Sequence, residues 1–364
     1  MKKLLFFINT LEGGGAELVL TNIANAFSKE YDITVMTLKD GGVNEKRLSE
    51  GVKYKSIIKI KNKLLRRIFE YIICFVLSPA ITHKLFIGNS YDYQIAFLEG
   101  VPTKIISAAK TKKYAWVHID LINTFGIEKV HRSMKKHIAC YKKYDKIICV
   151  SETVREAFLK RFGITDNVIV KYNVVDDDLI REKAIEIAEK TEKIRIVSVG
   201  RLAKQKGYDK LLEIASRLKR EGLDFEIVLV GKGEEYEALK TQAENSGISD
   251  CVEFAGFVDN PYKYMQSADF LVFPSRAEGY STVVTEAVIL GKPVVVSDCS
   301  GMREILGNSE YGMVTSNNEE LYEAIKKFIC DSELRESFSE KAQERAKNLS
   351  KKERISEISR LFYE

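Results

Sequence analysis

The chain of 364 residues has no C-x-x-C pair among its six cysteines and only four histidines. These absences argue against zinc ribbons and redox-active dithiols. The cysteines lie mostly in apolar or helical stretches, which predicts the reduced thiols of a cytosolic protein. Hydrophobic residues make up 45% and charged residues 30% of the chain, a near-average composition that argues against disorder and coiled-coil rods.

A long hydrophobic run is also missing. The N-terminal apolar run ends at Asn9, which is too short for the core of a signal peptide. The most apolar later segment, residues 71–81, contains Pro79 and is too short to cross a bilayer. We therefore expect a cytoplasmic protein that is soluble or bound to one face of a membrane.

Charge of one sign is concentrated in one half of the chain. Residues 1–178 contain 29 basic and 19 acidic residues, whereas the remainder contains 28 and 33. A basic half favours anionic partners. Five cations of the segment 59–67 precede an apolar run at 68–77, a pattern typical of an interfacial helix on anionic lipid. A core helix with a charged lead-in fits the same pattern, and periodicity alone does not separate the two.

Short β-rich runs alternate with longer amphipathic ones along the whole chain. Several runs, such as IRIVSV and PVVVS, are continuously apolar, which is typical of parallel strands that are buried on both faces. Strand–helix alternation indicates βαβ units, and two such sets predict two doubly wound α/β domains. The predicted strands are 3–8, 33–38, 94–98, 114–117, 146–150, 168–172, 194–199, 226–230, 252–255, 270–273 and 294–297.

The polar, acidic segment 174–192 predicts the break between the domains. We expect an N-terminal domain over residues 1–178 and a C-terminal domain over 179–350. The last segment, 351–364, reads as a short amphipathic helix that packs back on the first domain.

Ligands of such sheets bind beyond the carboxyl ends of the strands, so the loops there matter most. The first loop carries Gly13-Gly14-Gly15-Ala16-Glu17 at a helix N-terminus, and either a tight turn or an anion site would need these glycines. The second, from Gly200 to Gly207, contains Arg201 and Lys206, a cation pair suited to a diphosphate. Gly231 lies in a further glycine-rich turn. Neither G-x-G-x-x-G nor G-K-[ST] is present, so a dinucleotide fingerprint and a P-loop are not supported.

The loop at 273–282 is the most informative one. It carries Glu278, and Glu286 follows eight residues later in an apolar helix, where a buried carboxylate needs a partner. Ser281 and Thr282 are positioned to cap that helix. Two carboxylates so placed can accept hydroxyl donors of sugars and riboses, although two ordinary surface glutamates would give the same spacing.

In motif order over almost the entire chain, these loops resemble the family 4 (group 1) glycosyltransferases, which are retaining enzymes of the two-domain GT-B fold. The Glu-x7-Glu block is the specific part of the resemblance. The general similarity is to bacterial enzymes that build capsular polysaccharides, exopolysaccharides or lipid-linked glycans. The resemblance implies two Rossmann-like domains that face each other across a cleft, with acceptor binding in the N-terminal domain and donor binding in the C-terminal one.

The resemblance also implies roles for individual residues. Arg201 and Lys206 would hold the donor diphosphate, Glu278 would contact the donor sugar, and Glu286 would bind the ribose. His118, which follows a predicted strand, would lie close to the transferred sugar, although a structural histidine is the alternative. Glu99 and Asp120 are candidates for acceptor binding. The remaining expected donor-binding residues are Gly14, Gly15, Gly200, Gly231, Phe257, Val258, Gly279, Tyr280, Ser281, Thr282 and Val283.

By resemblance, the reaction would move a hexose or N-acetylhexosamine from a UDP-sugar to a glycan acceptor linked to polyprenyl diphosphate, on the inner face of the cell membrane. It would need no metal and no cofactor, and the sequence has no Asp-x-Asp directly after a predicted strand. A non-catalytic scaffold of the same fold is the alternative. We do not expect nucleic-acid binding, because the aromatic residues lack the spacing of a stacking platform.

Overall fold

A computed structural model describes residues 1–122, 127–189 and 192–363; for residues 127 and 128 it describes the backbone. Residues 190 and 191 of the predicted break and residue 364 of the predicted last helix lie outside the described residues. The chain divides into two compact units. Unit 1 comprises Met1–Val174 and Lys352–Glu364, and unit 2 comprises Val175–Lys351.

Unit 1 is built on a seven-stranded parallel sheet with the order β3-β2-β1-β4-β5-β6-β7. The central strand β1 is buried from Leu4 to Ile8, as its continuous apolar sequence predicts. The edge strand β3 instead buries only Val52 and Ile58 and exposes Lys53 and Lys55. The strands are β1 Lys3–Ile8, β2 Asp32–Lys39, β3 Val52–Ile58, β4 Tyr93–Ala96, β5 Lys112–Val117, β6 Lys146–Cys149 and β7 Val168–Val170.

Helices of unit 1 cross over between these strands. Several begin at a residue whose side chain accepts a backbone amide, as Ser151 does from Val154 before the sixth helix. A π-helical turn, Ile72–Val76, directly follows the second helix. The α-helices are α1 Gly15–Phe27, α2 Lys63–Tyr71, α3 Pro79–Phe86, α4 Val101–Ile106, α5 Met134–Tyr141 and α6 Glu152–Phe162.

Unit 2 contains a six-stranded parallel sheet with the order β10-β9-β8-β11-β12-β13. Its core joins Ile196, Ile227 and Val272 of the sheet to Leu211 and Phe328 of the covering helices. The strands are β8 Ile194–Val199, β9 Phe225–Val230, β10 Val252–Gly256, β11 Phe270–Phe273, β12 Val294–Ser297 and β13 Met313–Thr315. The helices are α7 Asp177–Lys183, α8 Tyr208–Arg220, α9 Tyr236–Asn245, α10 Tyr262–Ser267, α11 Thr282–Ile289, α12 Met302–Leu306, α13 Asn318–Cys330 and α14 Ser332–Ala346.

The end of the chain returns to unit 1. Helix α15, Lys351–Ser359, leads into a 3-10 turn whose Phe362 is fully buried. The Phe362 ring packs against four aromatic rings of unit 1 at centroid distances of 5.3 to 6.0 Å. Tyr114 donates a hydrogen bond to the Leu361 carbonyl at 3.0 Å. The C-terminal segment is therefore part of the aromatic core of unit 1.

The predicted fold class is confirmed by two parallel sheets covered by helices. The prediction missed two strands. Strand β3 carries Lys53 and Lys55 and pairs only on one side, so its sequence is not continuously apolar. Strand β13 has only three residues, too few for a periodic pattern. Both lie at sheet edges, where sequence patterns are weakest.

The basic segment 59–67 and the apolar run 68–77 that follows it contain α2 and the π-helical turn. Helix α2 has no buried residue, and its Leu64 and Tyr71 are 68% and 61% exposed. Only Ile73 and Cys74 of the following turn are buried. Helix α2 is thus not a core helix of unit 1. None of the helices within the described ranges is both long and apolar enough to span a bilayer.

Candidate active site

Unit 2 places the most informative loops side by side. Strands β8 and β11 are neighbours in the sheet, and the strand order reverses direction between them. Such a point, where the crossovers leave on opposite faces, opens a crevice at the carboxyl ends of the strands. The β8 loop carries Arg201 and Lys206, and the β11 loop carries Glu278. The three side chains predicted to carry the chemistry of this unit therefore start from the switch point of its sheet.

Two glycines let the loops after β8 and β9 touch through their backbones. A Cβ atom on Gly231 would lie 1.9 Å from the Gly200 carbonyl oxygen, so no larger residue fits there without movement. The Gly231 amide donates to the Gly256 carbonyl at 2.8 Å, which ties in the loop after β10. The floor of the crevice is therefore backbone from three neighbouring loops.

A third glycine joins the β8 and β11 loops. Gly207 has a φ of +71°, and a Cβ there would lie 2.0 Å from the Pro274 carbonyl oxygen. Beside it, the Arg276 amide donates to the Gln205 carbonyl at 2.7 Å. The Arg276 guanidinium donates two hydrogen bonds to the Asp209 carboxylate, at 2.6 and 2.8 Å. These bonds hold the pKa of Asp209 well below its usual range. This brace fixes the two loops to each other.

At the centre of the crevice, Lys206 and Glu278 form an ion pair. The Lys206 Nζ atom donates to Glu278 Oε1 at 2.6 Å, and the Ser275 hydroxyl donates to the same oxygen at 2.8 Å. The two charged side chains are 21% and 11% exposed, so both remain accessible to a ligand. The Lys206 stem passes beside Gly200, within 3.7 Å of where a Cβ would be. The Lys206 ammonium and the Glu278 carboxylate therefore present a positive and a negative charge side by side in the crevice.

Arg201 is exposed, and its guanidinium donates no hydrogen bond to any residue that the structure describes. Its five N–H donors can therefore bind a ligand without breaking an internal contact. Burial and the neighbouring Glu278 raise the pKa of Tyr208, whose hydroxyl lies 2.9 Å from where a Gly200 Cβ would be.

Helix α11 begins at the far side of the same loop. Ser281 caps it by accepting the Val284 amide at 3.4 Å, so the amides of Thr282 and Val283 have no acceptor within the helix. Such a helix start favours an anion. Gly279 and Tyr280 just before it are buried.

Glu286, in the second turn of α11, is only 4% exposed. Its neighbours in sequence, Thr285 and Ala287, are also buried. The predicted alternative of an ordinary surface glutamate is therefore wrong for this residue.

The loop after β10 exposes an aromatic ring. Phe257 is 49% exposed, and the Lys232 ammonium lies 4.9 Å from its ring centroid. Val258 is half-buried beside it. A flat apolar surface of this kind can support a nucleobase.

In unit 1, the corresponding loops follow β1, β4 and β5, which are adjacent in the sheet. Gly14 is the N-cap of α1, and Gly15 is its first residue. A Cβ on Gly14 would lie 2.1 Å from a carboxylate oxygen of Glu17, so this carboxylate folds over the glycine loop. An anion at this helix start would have to displace the Glu17 carboxylate.

Glu99 and His118 lie close together after β4 and β5. Glu99 Oε1 accepts the amides of His118 and Ile119, the latter at 3.1 Å. Burial raises the pKa of Glu99 to about 7, although these two amides oppose the shift. Glu99 therefore holds the backbone that carries His118. The acceptor contact predicted for Glu99 stays a prediction.

His118 itself is 8% exposed and packs 4.8 Å from the Phe97 ring centroid. Its Nε2 atom is buried and has no hydrogen-bond partner among the described residues. Burial lowers its pKa to about 3, so the imidazole is neutral at physiological pH. Asp120 accepts the Ile122 amide at 2.8 Å and shapes the same loop.

The predicted residues thus form two sets, one in each unit. The structure brings together Lys206, Glu278 and the glycines of unit 2, and separately Glu99, His118 and Asp120 of unit 1. Sequence reasoning missed Tyr208, Ser275 and the Arg276–Asp209 brace, for which only the charge of Arg276 gave any signal. No group of three or more metal-binding side chains of the His, Cys, Asp and Glu types is found in the described part of the chain.

Comparison with known proteins adds independent findings. Residues 180–345 match the family described as Glycosyl transferases group 1. The chain is 27% identical, over 96% of both sequences, to the N-acetylgalactosamine-N,N'-diacetylbacillosaminyl-diphospho-undecaprenol 4-alpha-N-acetylgalactosaminyltransferase of Campylobacter jejuni. It is 23% identical, over 94% of both, to the amylovoran biosynthesis glycosyltransferase AmsD of Erwinia amylovora.

Among solved structures, HepE of Anabaena in complex with UDP and glucose matches the whole chain over its own whole length, with a TM-score of 0.77 and 20% identity. The sucrose-phosphate synthase of Thermosynechococcus elongatus matches with a TM-score of 0.80 and 16% identity, over 100% of this chain and 98% of that one. The resemblance drawn from the loop motifs is confirmed: residues 180–345 match the group 1 glycosyltransferases, the relatives that span the whole chain are glycosyltransferases, and the chain has the GT-B fold.

Proposed function

We propose that this glycosyltransferase moves a hexose or N-acetylhexosamine from a UDP-sugar to a lipid-linked glycan, with retention of configuration, in cell-surface polysaccharide synthesis. The observation that carries the proposal is the Lys206–Glu278 pair at the switch point of the unit 2 sheet. A cation and a carboxylate at one point suit a ligand whose phosphate and hydroxyl groups are adjacent, as in a nucleotide sugar.

In this proposal the donor binds along unit 2. Arg201 and Lys206 hold the diphosphate, with Gly200, Gly231 and the α11 helix start offering close backbone approach. Glu278 accepts hydroxyls of the sugar and Glu286 those of the ribose. Phe257 and Val258 lie beside the nucleobase. UDP is the preferred nucleotide because it is bound in the structure of Anabaena HepE.

The acceptor is assigned to unit 1, the basic half of the chain. The Campylobacter jejuni relative acts, by its name, on a diphospho-undecaprenol acceptor. A lipid-linked acceptor would also account for the exposed apolar residues of α2 beside its cations. The protein would then work at the inner face of the cell membrane.

The proposed reaction needs no metal, because Arg201 and Lys206 supply the positive charge that offsets the departing diphosphate. The bond between the anomeric carbon and the β-phosphate oxygen breaks, and a bond from the acceptor oxygen forms on the same face. The acceptor proton passes to the leaving phosphate, so UDP departs and no side chain acts as a covalent nucleophile. His118, neutral at physiological pH, contacts the transferred sugar as a hydrogen-bond partner rather than as a cation.

The test is a screen of UDP-, GDP- and ADP-sugars for donor hydrolysis and thermal stabilisation, with and without EDTA. We expect a UDP-sugar to be hydrolysed slowly and to stabilise the protein, and EDTA to have no effect. Stabilisation by GDP- or ADP-sugars alone would reassign the nucleotide. Absence of both binding and hydrolysis for every donor would favour the non-catalytic scaffold of the same fold.

A further inference from the structure

Unit 1 contains a cavity that the proposed reaction leaves unexplained. It has a volume of about 400 Å³ and lies between the segment 75–79, helix α4 and the segment 130–143. Its apolar lining includes Phe75, Val76, Leu77, Pro79, Val130 and Ala139. The volume is in the range of small-molecule sites.

The polar lining of this cavity is basic. Among its described lining residues none is an aspartate or a glutamate, while four cations and a histidine are present. A cavity with several cations and no carboxylate attracts an anion, because nothing inside neutralises the charge. The lining cations are Lys104, Arg132, Lys136 and Lys143, and the histidine is His131.

Two of these cations are held in place by the backbone. Lys104 Nζ donates to the Cys74 carbonyl at 2.6 Å, and Arg132 donates to the Phe75 carbonyl. Burial, Arg132 and Lys136 lower the pKa of Lys104, which reflects a local excess of positive charge. Each of the two side chains has further N–H donors for a ligand. Lys136 and Lys143 are exposed at the rim and can close around it.

An apolar surface leads away from the cavity along α2. We call the exposed residues Leu64, Leu65, Ile68 and Tyr71 the apolar ridge; their exposed fractions are 68%, 55%, 48% and 61%. The opposite side of α2 faces strand β2, since Glu70 pairs with Lys39 at 3.6 Å. Helix α2 therefore turns Glu70 towards the protein and leaves the apolar ridge in solvent, beside the exposed cations Lys63 and Arg67. An ordinary surface helix instead turns its apolar stripe towards the core.

The ridge and the cavity are continuous. The Tyr71 ring lies 5.3 Å, centroid to centroid, from the ring of Phe75, which lines the cavity. A ligand with an anionic head and a long apolar tail would match both features at once. A free phosphate would use only the cavity, and a purely apolar partner would use only the ridge.

We propose that this cavity binds the phosphate or diphosphate head of a long-chain lipid, whose hydrocarbon tail lies on the apolar ridge. The inference deepens the proposed function and rests on its lipid-linked acceptor, since it places the lipid head of that acceptor in unit 1. The sugar that receives the transferred residue would then extend away from a fixed anchor.

The probe is farnesyl diphosphate, titrated below its micelle concentration into the full chain with saturating UDP present, so that the donor site is occupied. The test variant is Lys136→Gln with Lys143→Gln; its matched control is Lys135→Gln with Lys142→Gln, which removes two exposed charges that do not line the cavity. We expect the test variant to weaken binding about tenfold or more and the control to leave it within about twofold. Equal affinities of the two variants would overturn the proposal.

The tail is tested with Leu64→Ser and Ile68→Ser together, against a control of Ile185→Ser and Ile187→Ser, two exposed residues of unit 2. The ridge variant should weaken farnesyl diphosphate binding and leave inorganic diphosphate binding unchanged. Inorganic diphosphate that binds as tightly as farnesyl diphosphate would identify a free-phosphate site instead of a lipid site. A dimer in analytical ultracentrifugation that only the ridge variant abolishes, with lipid binding unchanged, would assign the ridge to a second copy and overturn the assignment.

The outcomes for the two proposals stay distinct. Stabilisation by UDP, measured on the same samples, reports on the donor site of unit 2. Intact UDP binding without farnesyl diphosphate binding rejects only the lipid site. Farnesyl diphosphate binding without UDP binding rejects the donor assignment and retains the cavity.

Discussion

Four charged side chains at the strand-end loops of unit 2 are paired and partly exposed, whereas Glu99 and His118 in those of unit 1 are buried. In unit 2, Lys206 pairs with Glu278 and Arg276 pairs with Asp209 at 2.6 to 2.8 Å, and all four side chains stay partly exposed. In unit 1, burial raises the pKa of Glu99 to about 7 and lowers that of His118 to about 3. The loops of unit 2 therefore keep charged side chains accessible to a ligand. In the loops of unit 1, burial disfavours the charged forms of Glu99 and His118.

The difference indicates a division of labour. The Lys206–Glu278 pair is mostly buried, so opening it is costly unless another anion replaces the carboxylate. A phosphate of the donor can replace Glu278 beside Lys206 in this way. A neutral histidine in an aromatic setting can contact a sugar without competing for that phosphate. We therefore expect changes in unit 2 to affect donor binding, and changes in unit 1 to affect turnover or pH dependence.

The largest effect should come from the charged residues of unit 2. Arg201→Ala, Lys206→Ala and Glu278→Ala should each abolish sugar transfer, or reduce it by at least about 10²-fold, since each removes a charge that we propose contacts the reacting groups. Lys240→Ala, an exposed lysine on α9, is the control and should retain activity. Thermal melting would verify that the fold is intact. Near wild-type turnover in all three variants would contradict the assignment of these residues to the active site.

Gly207→Ala should come next, through the geometry of the loops. The new Cβ would lie 2.0 Å from the Pro274 carbonyl, on a residue held at a φ of +71°. Gly222→Ala isolates the backbone cost, because Gly222 has a φ of +81° with nothing within 4 Å. Positive φ alone costs about 1 kcal/mol, so the free energy of unfolding should fall by more in G207A than in G222A. Equal losses in urea denaturation would mean that the loops separate easily.

His118→Asn tests whether the loops of unit 1 affect turnover without affecting donor binding. Transfer should fall by about 10- to 100-fold, because the proposed hydrogen-bond partner of the sugar is altered, while UDP affinity stays unchanged. In the wild type, kcat should show no titration of His118 between pH 5 and 8, since its pKa is about 3. A protonation step near pH 6.5 that disappears in H118N would show that the histidine is exposed and charged during the reaction.

The smallest effect concerns the stability of unit 1. The pKa of Glu99 is about 7 in the folded protein, against an ordinary value of 4.5, so folding takes up a proton between these pH values. The contribution of Glu99 to the free energy of unfolding is therefore fully present below pH 4.5 and is lost as the pH rises to 7. Relative to Glu99→Gln, the wild type should lose about 1 to 3 kcal/mol between pH 5 and pH 8.

Parallel denaturation curves of the wild type and E99Q at pH 5, 6.5 and 8 measure this difference. A constant gap between the two proteins would contradict the raised pKa. The amide side chain introduced by E99Q can donate as well as accept, so the gap at a single pH carries no information, and only its change with pH is diagnostic.

Much of this architecture was predictable from the sequence, because buried parallel strands are continuously apolar. Strands β1, β8, β11 and β12 have the predicted bounds. Glycine runs and unusual acids also identified the loops after β1, β8 and β11. The edge strands β3 and β13 were missed because an edge strand that is short or carries lysines has no such pattern.

The contacts of the site were harder to predict. Nothing in the spacing of Lys206 and Glu278, 72 residues apart, indicates that their side chains pair, because the pairing depends on strand order. Likewise, the contact of Glu99 with the backbone of His118 follows from the adjacency of β4 and β5. The exposed apolar ridge of α2 was predicted only as one of two alternatives, since a hydrophobic pattern does not reveal which face meets the protein.

The most direct test of the account is a calorimetric titration with UDP. The double variant Arg201→Ala with Lys206→Ala should bind UDP at least about tenfold more weakly than the wild type, because two charge-assisted contacts to the diphosphate are lost. Glu278→Ala should bind UDP as well as the wild type or better, since it frees Lys206 and UDP has no sugar for Glu278 to contact. Wild-type affinity in the double variant would show that these two cations do not hold the diphosphate, and would contradict the account.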